Sequence, residues 1–577
     1  MTVAKESSSS VAEQNRLLSQ LLSLFPLTSS SAKKHPSATP EDDGGSNKVL
    51  VQVSDQVPAG RGLVFTQPVE PEQVLMRLPP EALINVKSCR TFFHPDTPPN
   101  IASIAASVKK SDHRLSSAQL LSLLLARTKV EEALNVKRGS NATTTRHEAL
   151  KLLVKTLPTS FDTVPLTWSL HARGLGKNGE STKLGTWKQR IHQILLQALP
   201  QHSHELQLKV RQRFDKDWAA ICSMRSSKPD MLAEPPLLTS NPDLARDIVH
   251  SIDQELFLWS WLCVNSRCVF LPLGLAEHAD NFTLAPMLDM ANHTPDPALE
   301  CKVNYTKDGG LELSAPCADQ QTLAERKSCV GNAGDECFIT YGPHSNECLL
   351  SEYGFVLPSK LQFTGETLSA KWRGSRYVDI QFDKEVEALL TAQGKDGEAK
   401  IELLQNRGYW EEFTIHPYPE PAHPSHRLIP ALRLAALGIN AAAKEGGSSA
   451  PKVAKTKAQP GVKSGKKLPY NANVETSDLA KWEETLTGYL EKVSDENEER
   501  AHAILVDLCN KRRRNSEQAR QSLAEAEALL FSSVNHLGIE QDQEGWARSL
   551  ALVKQLHNEE EVVLWLVGQA AKDQVEW

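Results

Sequence analysis

The residues best suited to chemistry fall in two stretches. "APMLDMANHTPDPALEC", Ala285 to Cys301, brings Asp289, Asn292, His293 and Cys301 close together, and "GDECFITYGPHSNECLLSEYGFVLP", Gly334 to Pro358, holds Tyr341, Tyr353 and Phe355. Asp, His and Cys are all metal ligands, so a metal centre is the first chemistry to weigh. Asp289 and His293 are four residues apart, a spacing that suits one helix face, but Pro295 and Pro297 follow at once and argue against a helix. Cys301 has no cysteine two residues away and no C-x-x-C occurs in the chain, so no metal is expected. The Asn-His pair could then serve a bound small molecule, or the run could be a strand ending in a turn. Residue types alone leave both readings open.

Two further segments carry weaker signals. "AGRGLVF", Ala59 to Phe65, is a two-glycine turn that can bring backbone close to a ligand, although most such turns only reverse the chain. "WLCVNSRC", Trp261 to Cys268, ends an apolar run with Arg267, and a lone arginine there is usually a surface charge.

The elements that must position these residues alternate in character along the chain. Residues 1–47 read as a disordered leader, because the stretch from Thr28 to Asn47 is Ser, Pro, Gly and charge with almost no apolar residue. In 48–100, "KVLVQVS", "LVFTQPV" and "PEQVLMRL" read as a small β meander. In 101–262 the period becomes helical, with "SSAQLLSLLLARTK" opening on a serine cap. Short strands return in 263–365, and 366–577 is again helical, interrupted by a basic Lys, Gly, Ser and Pro loop at 444–467. The fold class is therefore α+β, a split β-rich domain with a helical insertion followed by an all-α domain.

Composition narrows the function classes. A chain of 577 residues is too long for one ordinary core, and its net charge of -7 makes no general demand for nucleic acid or an anionic membrane. The loop at 444–467 leaves only local contact with RNA or an acidic partner open. Ten scattered cysteines fit a reducing compartment. "RLLSQLLSLFPL", Arg16 to Leu27, is too short and interrupted for a signal sequence or a membrane span. The expectation is a soluble, monomeric, cytoplasmic protein, with nuclear entry left open.

Taken in this order, the four segments resemble the SET-domain protein methyltransferases, and among them the branch related to the plant Rubisco large-subunit lysine methyltransferase. In that branch a helical insertion splits the SET domain and a helical substrate-binding domain follows. The wording of "FLWSWLCVNSRC" and "YGPHSNECLLSEYGF" looks like fungal members, similar to ribosomal-protein lysine methyltransferases. The resemblance implies S-adenosylmethionine (SAM) as cofactor and a protein as substrate. It implies that Arg61, Gly62 and Leu63 offer backbone groups to SAM and that Arg267 lies by its carboxylate, which a guanidinium fork fits. Asn292 and His293 would hold the adenine and the methionine ammonium in a knot-like chain crossing, with Phe355 stacked on the adenine. Asp289, Tyr341 and Tyr353 would line the acceptor channel, with the Tyr341 hydroxyl as the catalytic group. The expected activity is lysine methylation of a non-histone protein. A histidine methyltransferase is the rival reading, and a catalytically silent SET scaffold that binds a partner is the alternative from another class.

Overall fold

The computed structural model describes residues 10–25, 49–101, 114–136, 144–172, 183–317, 329–358, 360–364, 369–438, 476–537 and 543–577. The basic segment 444–467 lies outside them. The chain divides into two compact units, the first made of Met1–Thr182, Glu205–His344 and Cys348–Phe355, the second of Lys183–His204, Ser345–Glu347 and Val356–Trp577. The helical segment expected at 101–262 therefore gives its piece Lys183–His204 to the second unit, whose continuous C-terminal part starts at Val356.

Among the described residues, the first unit holds nine short strands: β1 (Val51–Ser54), β2 (Gly62–Phe65), β3 (Val74–Leu78), β4 (Cys268–Phe270), β5 (Phe282–Leu284), β6 (Asn292–His293), β7 (Lys302–Tyr305), β8 (Leu311–Ser314) and β9 (Glu336–Ile339). They form sheets ordered β1-β2-β9-β6, β3-β8-β7 and β4-β5. The meander expected in 48–100 is instead a hairpin of β1 and β2, paired from Val51↔Phe65 to Ser54↔Gly62, while β3 joins β8. The physical reason is that the other edge of β2 is taken by β9, through Leu63↔Cys337, which leaves β3 no partner there. Strand β6 runs parallel to β9, with Asn292↔Phe338 and His293↔Ile339 in register. The split halves of the β region, far apart in sequence, thus meet in one sheet.

The leader also needs correction. Val11–Ser23 is a helix, capped by the Ser10 side chain accepting from the Glu13 N–H, and its Gln14, Leu17, Leu18 and Leu21 are buried. Each buried leucine is worth at most about 1.5–3 kcal/mol, enough together to order a short helix. Asn15 docks it on β1: its Oδ1 accepts from Val53 N at 2.8 Å and its Nδ2 donates to Val53 O at 2.9 Å. That amide satisfies the Val53 N–H and C=O on the edge of a strand that could otherwise template further pairing. The apolar spacing of "RLLSQLL" carried this signal, but the low-complexity stretch beside it outweighed it.

Between the β segments lie the helices Ser117–Ala133, Thr145–Thr156 and Gln254–Arg267. Ser117–Ala133 starts with a capping box of Ser116 and Gln119. Gln254–Arg267 is capped by Asp253, and its run Phe257 to Val264 is buried on all sides, which explains why it shows no polar face.

The second unit holds long helices, among them Asp495–Leu537 and Gln543–Lys572, around a core that includes Phe382, Phe413 and Trp482. It is not all-helical. Ile380–Gln381, Thr414–His416 and His423–Pro424 form a three-stranded sheet, and Lys360–Thr364 pairs with Ser369–Arg373. These pieces are too short to show an alternating pattern in the sequence.

Candidate functional site

Arg267 closes the helix Gln254–Arg267 and so reaches the segment after β5. Its Nη1 donates to the Asp289 carbonyl at 2.8 Å and lies 3.3 Å from Asp289 Oδ2. The Asp289 side chain is only 2% exposed, and burial pushes its carboxyl up while Arg267 works the other way. Asp289, expected on the wall of an acceptor channel, is here the counter-ion of Arg267, because a buried carboxylate needs a paired cation to stay charged. Arg267 Nε and Asp289 Oδ1 are buried without a hydrogen-bond partner.

Strand β6 holds the Asn-His pair against β9. His293 Nδ1 accepts from the backbone N–H of Tyr341 at 3.1 Å, which leaves the ring proton on Nε2, a buried atom with no partner. Burial first, and the neighbouring His344 second, push His293 down to about 4, so the ring is neutral at pH 7. Asn292 spends both N–H bonds inside the protein, to the Arg61 carbonyl at 2.9 Å and to Glu336 Oε1 at 2.7 Å. Gly62 makes this approach feasible, since a Cβ there would lie 2.5 Å from Asn292 Nδ2 and 2.8 Å from Glu336 Oε1.

Tyr341 follows β9 and packs against the core of the first unit. Its hydroxyl donates to the Ala291 carbonyl at 2.8 Å, and burial pushes the phenol up to about 12. The Tyr341 ring is stacked with His293 at 5.2 Å, tilted on Tyr353 at 5.0 Å and edge-on to Phe355 at 6.2 Å. Burial likewise raises the Tyr353 phenol. The last two rings flank Gly354, which ends the helix Asn346–Tyr353 with φ 80. A Cβ on Gly354 would lie 2.7 Å from Thr163 Oγ1 and 2.8 Å from Val164 Cγ2, so glycine alone lets the chain turn both aromatics toward Tyr341.

The structure thus pairs Arg267 with Asp289, groups His293, Tyr341, Tyr353 and Phe355 through ring contacts, and ties Asn292 to the Arg61 carbonyl beside Gly62; the Tyr341 phenol feels the charges of Arg267 and Asp289. Leu63 is fully buried inside the ladder, between Val53 and Cys337, and serves the sheet. Cys301 is buried and faces Cys337, Sγ to Sγ at 3.5 Å. Glu336 was missed. It stands in the quoted "GDECFITYG", and its place at the start of a strand beside Gly62 is visible only once β2 and β9 are paired.

Chemically, the cluster offers aromatic faces beside a few buried, unsatisfied polar atoms. Such a site suits a mixed ligand with flat apolar and charged parts. No family model matches the chain. The ribosomal lysine N-methyltransferase set11 of Schizosaccharomyces pombe is 29% identical over 164 residues, which is 28% of this chain and 33% of that protein. Ribosomal lysine N-methyltransferase 2 of Saccharomyces cerevisiae is 27% identical over 227 residues, 38% of this chain and 42% of that protein. SET domain-containing protein 4 of Homo sapiens is 29% identical over 203 residues, 34% of this chain and 38% of that protein. These relatives are SET-domain proteins and lysine methyltransferases. The chain spans less than half the length of each of them. Among solved structures, the SET domain of LSMT bound to lysine and AdoHcy is 15% identical, with TM-score 0.45, and the overlay covers 98% of this chain and 92% of that one. Rubisco LSMT bound to AdoMet is also 15% identical, with TM-score 0.44 and 97% and 92% coverage.

Proposed function

We propose that this chain is a SAM-dependent protein-lysine N-methyltransferase. The observation that carries the reading is the cluster in which Arg267, Asn292, His293, Tyr341, Tyr353 and Phe355, drawn from distant segments, converge while His293 Nε2 and Arg267 Nε remain buried and unpaired. Unpaired buried donors are costly unless a ligand completes them. SAM fits this set: a carboxylate for a guanidinium, acceptor atoms for the His293 N–H, and an aromatic base for Phe355. When bound, it supplies an electrophilic methyl group on a sulfonium.

The rest of the task belongs to the protein's own side chains. Methyl transfer needs no metal and no protein nucleophile, only an amine held in line with the C–S bond. A lysine, with a reference pKa near ~10.4, must reach the site neutral, and an enclosure of aromatic rings favours this by desolvating the ammonium. Tyr341 is not a base at neutral pH, because its proton is retained up to about 12 and committed to the Ala291 carbonyl. It positions instead. Its oxygen keeps lone pairs that can accept from an amine N–H and steady a positive methyl group.

The finer reading is a ribosomal protein as substrate, supported by the names of two fungal relatives. The test is incubation of the protein and isotopically labelled SAM with an extract from methylation-deficient cells, followed by mass-spectrometric mapping. Label on a lysine of a ribosomal protein is expected. Label on a histidine would replace the lysine reading, and no label in any protein would overturn the enzyme reading.

A further inference from the structure

We infer that Glu336 is a positioning residue which fixes the amide of Asn292 so that its Oδ1 faces the cofactor and accepts from the methionine ammonium; this rests on the SAM reading above. Asparagine has two amide donors and one carbonyl acceptor, and which end faces a ligand depends on what captures the other. Here both donors are taken. One Nδ2 hydrogen goes to the Arg61 carbonyl at 2.9 Å and the other to Glu336 Oε1 at 2.7 Å.

Both acceptors can only receive, never donate, while Glu336 is ionised, so the flipped amide would set oxygen against oxygen twice. The orientation is therefore decided by the protein before any ligand arrives. What remains for a ligand is Oδ1, an acceptor that asks for a donor. A carboxylate behind the amide also makes the site negative, which favours a positively charged donor over a neutral one. Of the groups in SAM that donate hydrogen bonds, the ammonium alone is cationic.

Gly62 supplies an independent observation. The same two atoms, Asn292 Nδ2 and Glu336 Oε1, are the nearest neighbours of the space a Cβ on Gly62 would fill, at 2.5 and 2.8 Å. The hairpin of β1 and β2 thus leaves room for this one hydrogen-bonded pair. Strand pairing then sets its spacing: Val64 stands opposite Glu336 in the β2–β9 ladder, and Asn292 stands opposite Phe338 in the β6–β9 ladder.

The experiment is calorimetric titration of the full chain and two variants, Glu336→Ala and Glu336→Gln, with three ligands: SAM, S-adenosylhomocysteine, and methylthioadenosine, which lacks the amino-acid part. Glu336→Ala should weaken SAM and S-adenosylhomocysteine by about tenfold or more, the usual cost of a lost hydrogen bond to a charged group, and leave methylthioadenosine within about threefold. Glu336→Gln, whose amide oxygen still accepts from Asn292, should recover most of the lost affinity. Equal loss for all three ligands would make Glu336 merely structural and overturn the inference, as would unchanged SAM affinity in Glu336→Ala. Failure of the unsubstituted chain to bind any of the three would instead remove the SAM reading itself.

Discussion

Two buried polar clusters, one in each unit, differ in how far they are completed from within. In the second unit Arg512 donates to Glu385 and to Glu560 at 2.7 Å each, and the Ser516 hydroxyl closes Glu560 at 2.6 Å. Burial acts on Glu560 most strongly and upward, but its hydrogen bonds and Arg512 together hold the carboxyl down at about 2. In the first unit the corresponding accounting is left open: Arg267 and Asp289 pair through one guanidinium nitrogen, while Arg267 Nε, Asp289 Oδ1 and His293 Nε2 have no partner. In the second unit Glu385 Oε2 also lacks a partner, but both carboxylates are tied to the Arg512 guanidinium, an arrangement that serves the fold. A cluster that keeps buried donors and acceptors in reserve beside aromatic rings serves a ligand.

Substitutions can break this contrast. The largest effect on stability is expected from Arg512→Met, which strands two buried carboxylates and should cost about 3–5 kcal/mol in denaturant unfolding. An unfolding curve that does not move would mean the cluster is hydrated and not structural. Next is Tyr341→Phe, which removes the hydroxyl without the ring. It should lower methyl transfer by about a hundredfold or more while SAM affinity stays within a few-fold, a loss of about 3 kcal/mol from the barrier. Undiminished turnover would take Tyr341 out of the reaction. His293→Ala should weaken SAM by about tenfold, since one hydrogen bond and a stacked ring go together, while the fold persists.

The smallest effect is that of pH. The folded value for His293, about 4, lies below its ordinary 6.5, so the native state binds fewer protons than the unfolded chain between these limits. The His293 contribution to stability is therefore complete above pH 6.5 and is lost as pH falls toward 4. Comparing thermal unfolding of the unsubstituted protein and His293→Asn from pH 7.5 to 4 isolates the effect. A steeper fall in the unsubstituted protein is expected, and parallel curves would mean that His293 protonates freely.

Much of the site was legible because its residues sit in short, ordered strings. "YGPHSNECLLSEYGF" sets Tyr341, Tyr353 and Phe355 around one helix and one glycine, and it was the resemblance of this string to a known family that singled them out. What escaped depends on partners far away in sequence. The exit of β3 follows from β9 occupying the edge of β2, the docking of Val11–Ser23 from the amide of Asn15 on Val53, and the role of Glu336 from β9 lying beside Gly62. No local period encodes such meetings. The pairing of Asp289 with Arg267 belongs to the same class, since nothing in the sequence couples the two until the helix end meets the segment after β5.

The most direct measurement is a calorimetric titration of the protein with SAM, repeated on His293→Ala. Saturable binding of one SAM per chain, clearly weakened in the variant, is the predicted result. A flat trace for the unsubstituted protein at millimolar SAM would contradict the reading that the cluster around Tyr341 is a methyl-donor site.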